Sequence, residues 1–201
     1  MTKIAFINTE TNGLHKEDMK LTKTGFINSI PKICSKYKNV YKFANILSLQ
    51  YSVGIYNNNS YEEKIKKKLI FNHENIIWDE AGEKYNGITR EYCMKKGKNP
   101  KECLEEFIKD IKYVDYIVFH SADYHIKAIQ AELMRNYLLF NFNNYTIIDI
   151  MNFYHNISYP KLTTLAEKYL SKTSKSKIKM IKNVFFKLYQ EYVNNVVLKK
   201  K

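Results

Sequence analysis

A chain of 201 residues with 45% apolar content can bury one good core and is expected to form one domain. Its 33 Lys plus Arg against 20 Asp plus Glu give a formal charge of +13, which favours a polyanionic partner such as nucleic acid. Cys34, Cys93 and Cys103 lack C-x-x-C or zinc-type spacing, and no apolar run nears the roughly 20 residues of a membrane span, so a disulfide scaffold, a zinc finger and a membrane partner are excluded.

The opening "MTKIAFIN" is too short an apolar run for a signal peptide, and reduced thiols are expected, so the reading is a soluble intracellular protein of cytoplasm or nucleus. Abundant Lys, Asn, Ile and Tyr suggest an AT-rich genome, cellular or viral, and nothing about mechanism.

In chain order, "KIAFIN" (3–8) predicts a short strand ended by "TETNG". The segment 15–43 has no clear periodicity and reads as a basic insertion. Within it Lys36 and Lys38 flank Tyr37, and Tyr41 follows, a pattern suited to phosphates and unpaired bases. "NILSLQYSVGIY" (45–56) predicts a longer strand, closed by the "NNNS" turn, and 65–71 a third with its lysines exposed.

At "NPKECLEEFIKDIKYV" the signals of a helix start coincide: Asn99 as cap, Pro100 at the first position, and Leu104, Phe107, Ile108 and Ile111 on one stripe. "YIVFH" (116–120) predicts a buried strand, "DYHIKAIQAELMRNYL" a helix and "YTIIDI" (145–150) the last strand, giving a strand-helix-strand rhythm. "YPKLTTLAEKYL" predicts a short helix, and a final helix over about 176–198 places Ile181, Val184, Phe185, Leu188, Tyr192 and Val196 on one side. Nine lysines and one acid, Glu191, lie between Lys172 and Lys201, which marks Lys175, Lys177, Lys179 and Lys182 as phosphate-contact candidates.

Three segments, "FINTETNGL", "EAGEKYNGITREYCMKKGKNPKECLEEF" and "IVFHSADYHIKAIQAEL", together with the "YPKLTTLAEKYL" helix, occur in an order that resembles the DEDD superfamily of 3'-5' exonucleases, its DnaQ-like branch. The resemblance covers nearly the whole chain. It implies the ribonuclease H-like fold, an α/β domain over 1–201 with a mixed five-stranded sheet flanked by helices, three antiparallel strands first and helical crossovers later. The family's cleft would lie at the C-terminal end of the first strand, beside the turn from His120 to His125.

The chemistry the resemblance implies is phosphodiester hydrolysis by two divalent cations about 4 Å apart, held by four acids and assisted by a His or Tyr base. The matching positions have mostly lost those acids. Asn8 stands for the first, Glu10 keeps the second, His125 stands for the third with Tyr124 before it, and counting back from "VFFKLY" puts the fourth within two residues of Lys177 and the base near Lys172. One amide-for-acid exchange would be an engineered trap; three losses together are not.

The expectation is a pseudo-nuclease with no cofactor, needing Mg²⁺ or Mn²⁺ only if residual activity survives. It would bind single-stranded DNA or RNA, or serve as a non-catalytic subunit with a protein partner. The competing readings are a weakly active exonuclease and a protein-interaction scaffold. A rescued single-metal site from Glu10, Asp123 and His125 is the weaker alternative, because Asp123 would cap the helix that starts there. Glu10 and His120 are expected to serve structural hydrogen bonds.

Overall fold

The computed structural model describes residues 1–15, 40, 43–57, 59–153 and 160–196, with side chains of the last helix to 191. The strands are β1 (Thr2–Thr11), β2 (Ile46–Asn57), β3 (Ser60–Ile70), β4 (Tyr116–Phe119) and β5 (Thr146–Asp149). The helices are α1 (Glu80–Asn86), α2 (Arg90–Lys96), α3 (Pro100–Ile111), α4 (Ala122–Arg135), α5 (Leu162–Leu170) and α6 (Lys177–Val196). One sheet runs β3-β2-β1-β4-β5, antiparallel from β3 to β1 and parallel from β1 to β5. This is the mixed five-stranded sheet flanked by helices that the motif order implies.

The period-2 alternation of β1 explains why both sheet faces are covered. Ala5 and Ile7 join Leu49 and Tyr51 of β2 under Leu104 and Phe107 of α3 and Ile126 and Ile129 of α4. Ile4 and Phe6 point the other way, into Leu165 of α5 and Ile181, Val184 and Phe185 of α6. Phe6 meets Tyr61 and Phe185 edge-on, with ring centroids 5.5 and 5.6 Å apart. β1 is therefore the spine from which both helical layers are hung.

The start of α3 is built as its sequence dictates, with the Asn99 side chain accepting the Lys101 N–H at 2.8 Å and Pro100 filling the first turn. α1 and α2 carry no readable stripe. Each has seven residues; α1 buries none and α2 only Cys93. Local caps hold them instead, Asp79 accepting from Ala81 at 2.9 Å and Thr89 Oγ1 from Tyr92 at 3.0 Å. Asn86 donates to the Thr11 carbonyl at 2.9 Å, and Asn12 to that of Ile77 at 2.8 Å, so α1 lies across the exit of β1. The approach is close: a Cβ on Gly82 would stand 3.0 Å from the Asn12 carbonyl.

β3 begins five residues earlier than its apolar content suggests. Pairing from Asn57↔Ser60 onward draws Tyr61 to Lys64 into the ladder, and an edge strand tolerates charge on its solvent side. Cys93 and Cys103 are buried free thiols, both pushed up to about 11 by desolvation. Among the described residues, no helix is long and apolar enough to cross a membrane.

Candidate functional site

β4 pairs with β1 only as far as Phe6↔Val118, so the last part of β1 lacks a strand on that side. His125, in the first turn of α4, takes its place: its Nδ1 accepts the Thr9 amide N–H at 3.2 Å and lies 2.7 Å from Thr9 Oγ1. A backbone amide can only donate, so Nδ1 must carry the lone pair and the proton sits on Nε2. Burial, aided by the charges of His120 and Lys177, brings the His125 pKa down to about 3. The imidazole is a neutral structural acceptor.

Asn8 and Glu10 are two residues apart and share the other face of β1. Asn8 Nδ2 donates to Glu10 Oε1 at 3.0 Å. The Lys177 ammonium, at the first residue of α6, grips both oxygens of the same carboxylate, 2.8 Å from Oε1 and 3.0 Å from Oε2. The exposed Tyr85 of α1 flanks this pair, its ring centroid 5.4 Å from Lys177 Nζ. Sheet, α1 and α6 thus meet at one clasped carboxylate, with a charge-neutral pair where the motif order implies a concentration of negative charge.

No protein-family model matches the chain, and no characterised protein matches it in sequence. Solved structures do match. Apo exonuclease I superposes with a TM-score of 0.68 at 10% identity, covering 96% of this chain and 42% of that chain. E. coli exonuclease I in complex with a dT13 oligonucleotide gives 0.67 at 9%, covering 98% and 41%. Exonuclease I from Methylocaldum szegediense gives 0.67 at 9%, over 98% and 41%. The chain has the ribonuclease H-like exonuclease fold. It spans about two fifths of the length of those exonuclease I chains.

This exonuclease fold implies a two-metal centre, and the residues present do not fit one. Paired divalent cations need several anionic oxygens. Of the four residues that the sequence resemblance offers for it, the last within two positions, Asn8 supplies a neutral amide, His125 turns its lone pair to β1, Lys177 brings a positive charge, and Glu10 is occupied by that charge. Among the described residues no three His, Cys, Asp or Glu side chains converge as metal ligands, so Glu10, Asp123 and His125 do not form the single-metal alternative.

Asp123 does not cap α4, contrary to expectation. The helix begins at Ala122, which places Asp123 already inside the first turn, where it pairs with Lys127 at 2.8 Å. The capping is done from outside by Asp149, which sequence reasoning missed: its carboxylate accepts from the N–H groups of Ser121 (2.9 Å), Ala122 (2.7 Å) and Met151 (3.0 Å). Burial raises the Asp149 pKa. The only signal was an acid at the end of the apolar run "YTIID". His120 Nε2 lies 2.8 Å from the Pro160 carbonyl and ties this turn to the approach of α5.

Of the C-terminal lysines, Lys175 and Lys179 are exposed, whereas Lys182 is drawn inward to Glu63 Oε2 at 2.8 Å and over the Tyr61 ring at 5.4 Å. Lys36, Tyr37, Lys38 and Tyr41 lie outside the described residues. The ends of that basic segment are fastened beside the site. His15 Nδ1 accepts the Ala44 N–H at 3.0 Å, its Nε2 lies 3.1 Å from the Tyr124 carbonyl, and its ring stacks on Tyr124 at 4.4 Å.

Proposed function

We propose that this chain is a pseudo-nuclease: an exonuclease fold that holds single-stranded nucleic acid without hydrolysing it, alone or as a non-catalytic subunit of a nucleic-acid-processing assembly. The observation that carries the reading is the Lys177 ammonium seated on both oxygens of Glu10. A fixed ammonium balances the carboxylate but activates no water, having no open coordination position. The charge of +13 supplies the attraction for a polyanion. A neighbour in fold, E. coli exonuclease I, has been crystallised with dT13 and dA16 oligonucleotides.

The test uses one labelled oligonucleotide in two assays. With Mg²⁺ or Mn²⁺ the strand stays full length, while fluorescence anisotropy shows binding that weakens steeply as salt rises. Progressive shortening that Glu10→Gln abolishes would overturn the reading in favour of a metal-dependent exonuclease. Absence of any salt-dependent binding would overturn it in favour of a protein scaffold.

A further inference from the structure

Residues directly opposite one another in an antiparallel ladder share a sheet face. The registers Asn8↔Gln50 and Gln50↔Lys68 therefore set Lys68, Gln50 and Asn8 in one row, running from the outer edge of the sheet to the clasped pocket. Lys66 stands beside that row through Phe6↔Ser52 and Ser52↔Lys66. Lys66 and Lys68 are both exposed, the Lys66 side chain to 60%. Two residues of strand separate them by about 6.7 Å, the scale of one nucleotide of an extended strand.

The opposite side of β3 behaves differently. Lys67, between them in sequence, is consumed by Glu106 at 2.7 Å and Asp110 at 2.6 Å of α3. Lys66 has only a loose approach to Glu63, at 3.9 Å, and Glu63 is already taken by Lys182. Lys68 lies 5.9 Å from the ring centroid of Tyr92, an aromatic of α2 that is 41% exposed. On the same short helix exposed Arg90, Lys95 and Lys96 outnumber its one acid, Glu91, and extend the positive field. Any strand gives that two-residue spacing; what an ordinary solvated edge does not account for is the exposed ring of Tyr92 beside Lys68, on the face whose row ends at Asn8.

We propose that a single nucleic-acid strand crosses the sheet at this edge, with consecutive phosphates on Lys66 and Lys68, a base stacked on Tyr92, and its path directed along Gln50 toward Asn8. This placement rests on the nucleic-acid reading above and moves the main contact surface from the lysines of α6 to β3 and α2.

The test is anisotropy of a fluorescein-labelled oligothymidylate over a salt series, comparing the full chain with Lys66→Glu/Lys68→Glu and with Lys101→Glu/Lys109→Glu. The second pair makes the same charge change at exposed positions of α3, on the other side of the sheet. The β3 variant should bind on the order of tenfold more weakly at 0.1 M salt and lose about 1.4 from its log-log salt slope, two contacts at roughly 0.7 each. The α3 variant should keep the parental slope. Tyr92→Ala should abolish the fluorescence quenching of a 2-aminopurine placed in the strand, while Tyr92→Phe retains it. A far-UV spectrum and melting curve like those of the parent establish that the variants fold; Lys66→Gln/Lys68→Gln replaces the Glu pair if they do not. Equal losses for β3 and α3 variants would overturn this path while leaving nucleic-acid binding in place. A parental protein that does not bind the strand would overturn both.

Discussion

Acidification from pH 6.5 to pH 4 is expected to cost the native state about 3 kcal/mol through His125 alone, from 2.5 pH units at roughly 1.4 kcal/mol each. The imidazole must stay neutral to accept the Thr9 N–H, and its pKa is held at about 3 by burial and by the nearby charges of His120 and Lys177. In the unfolded chain it titrates near 6.5. Between those values the unfolded state binds the extra proton, so stability is full above pH 6.5 and falls steadily as pH drops toward 3. His15 adds to the effect with the same sign: burial lowers its pKa, and its Nδ1 must accept the Ala44 N–H. Urea midpoints measured across this range should show the loss. His125→Asn, whose Oδ1 offers an acceptor that does not titrate, should flatten the curve by close to one proton. Parallel curves for the two proteins would contradict the assignment of His125 as a neutral support.

Arg135→Met should destabilise the chain by roughly 3–5 kcal/mol, the usual cost of stranding a buried charge. Glu132 on α4 is 1% exposed, and its carboxylate takes Arg135 Nη1 at 2.9 Å, Asn136 Nδ2 at 3.3 Å and the Ile46 N–H at 3.4 Å. The same guanidinium donates from Nη2 to the carbonyls of Val40 at 2.8 Å and Phe43 at 2.5 Å. Nη1 also reaches the Ala44 carbonyl at 3.5 Å, so Met, which preserves the stem and removes the fork, leaves one carboxylate and three carbonyls short of a donor. Adding Glu132→Gln should recover part of the loss, because the uncompensated charge is its largest component. A loss under about 1 kcal/mol in urea melts would show that water reaches this network.

The strands, the long helices and their order are legible because each depends on a local pattern: a continuous apolar run in β1, alternation in β2, and a cap with an apolar stripe in α3. α1 and α2 are not, since seven-residue helices with little or no buried surface leave no periodic trace, and α1 is placed by bonds between distant parts of the chain, Asn12 reaching to Ile77 and its own Asn86 reaching to Thr11. The site divides in the same way. Asn8 and Glu10 sit on one face by strand geometry alone, whereas the role of Asp149 depends on the end of β5 arriving under the start of α4.

Lys177 and Lys182 show how phase separates neighbours of one type. They stand four residues before Ile181 and four after Ile178, on the flanks of the buried stripe, so their stems are drawn toward the sheet. Lys179 falls outside those flanks and stays exposed. These lysines therefore do not form one stripe. Which acids they would meet, Glu10 and Glu63, depended on packing against β1 and β3.

Two-metal hydrolysis would require cations to enter the space between β1, α1 and α6. Isothermal titration of the protein with Mn²⁺ at neutral pH tests this most directly. The clasp of Glu10 by Lys177 predicts no saturable heat beyond that of dilution, and the same flat trace for Glu10→Gln. Two equivalents of Mn²⁺ bound per chain, lost on Glu10→Gln, would contradict it.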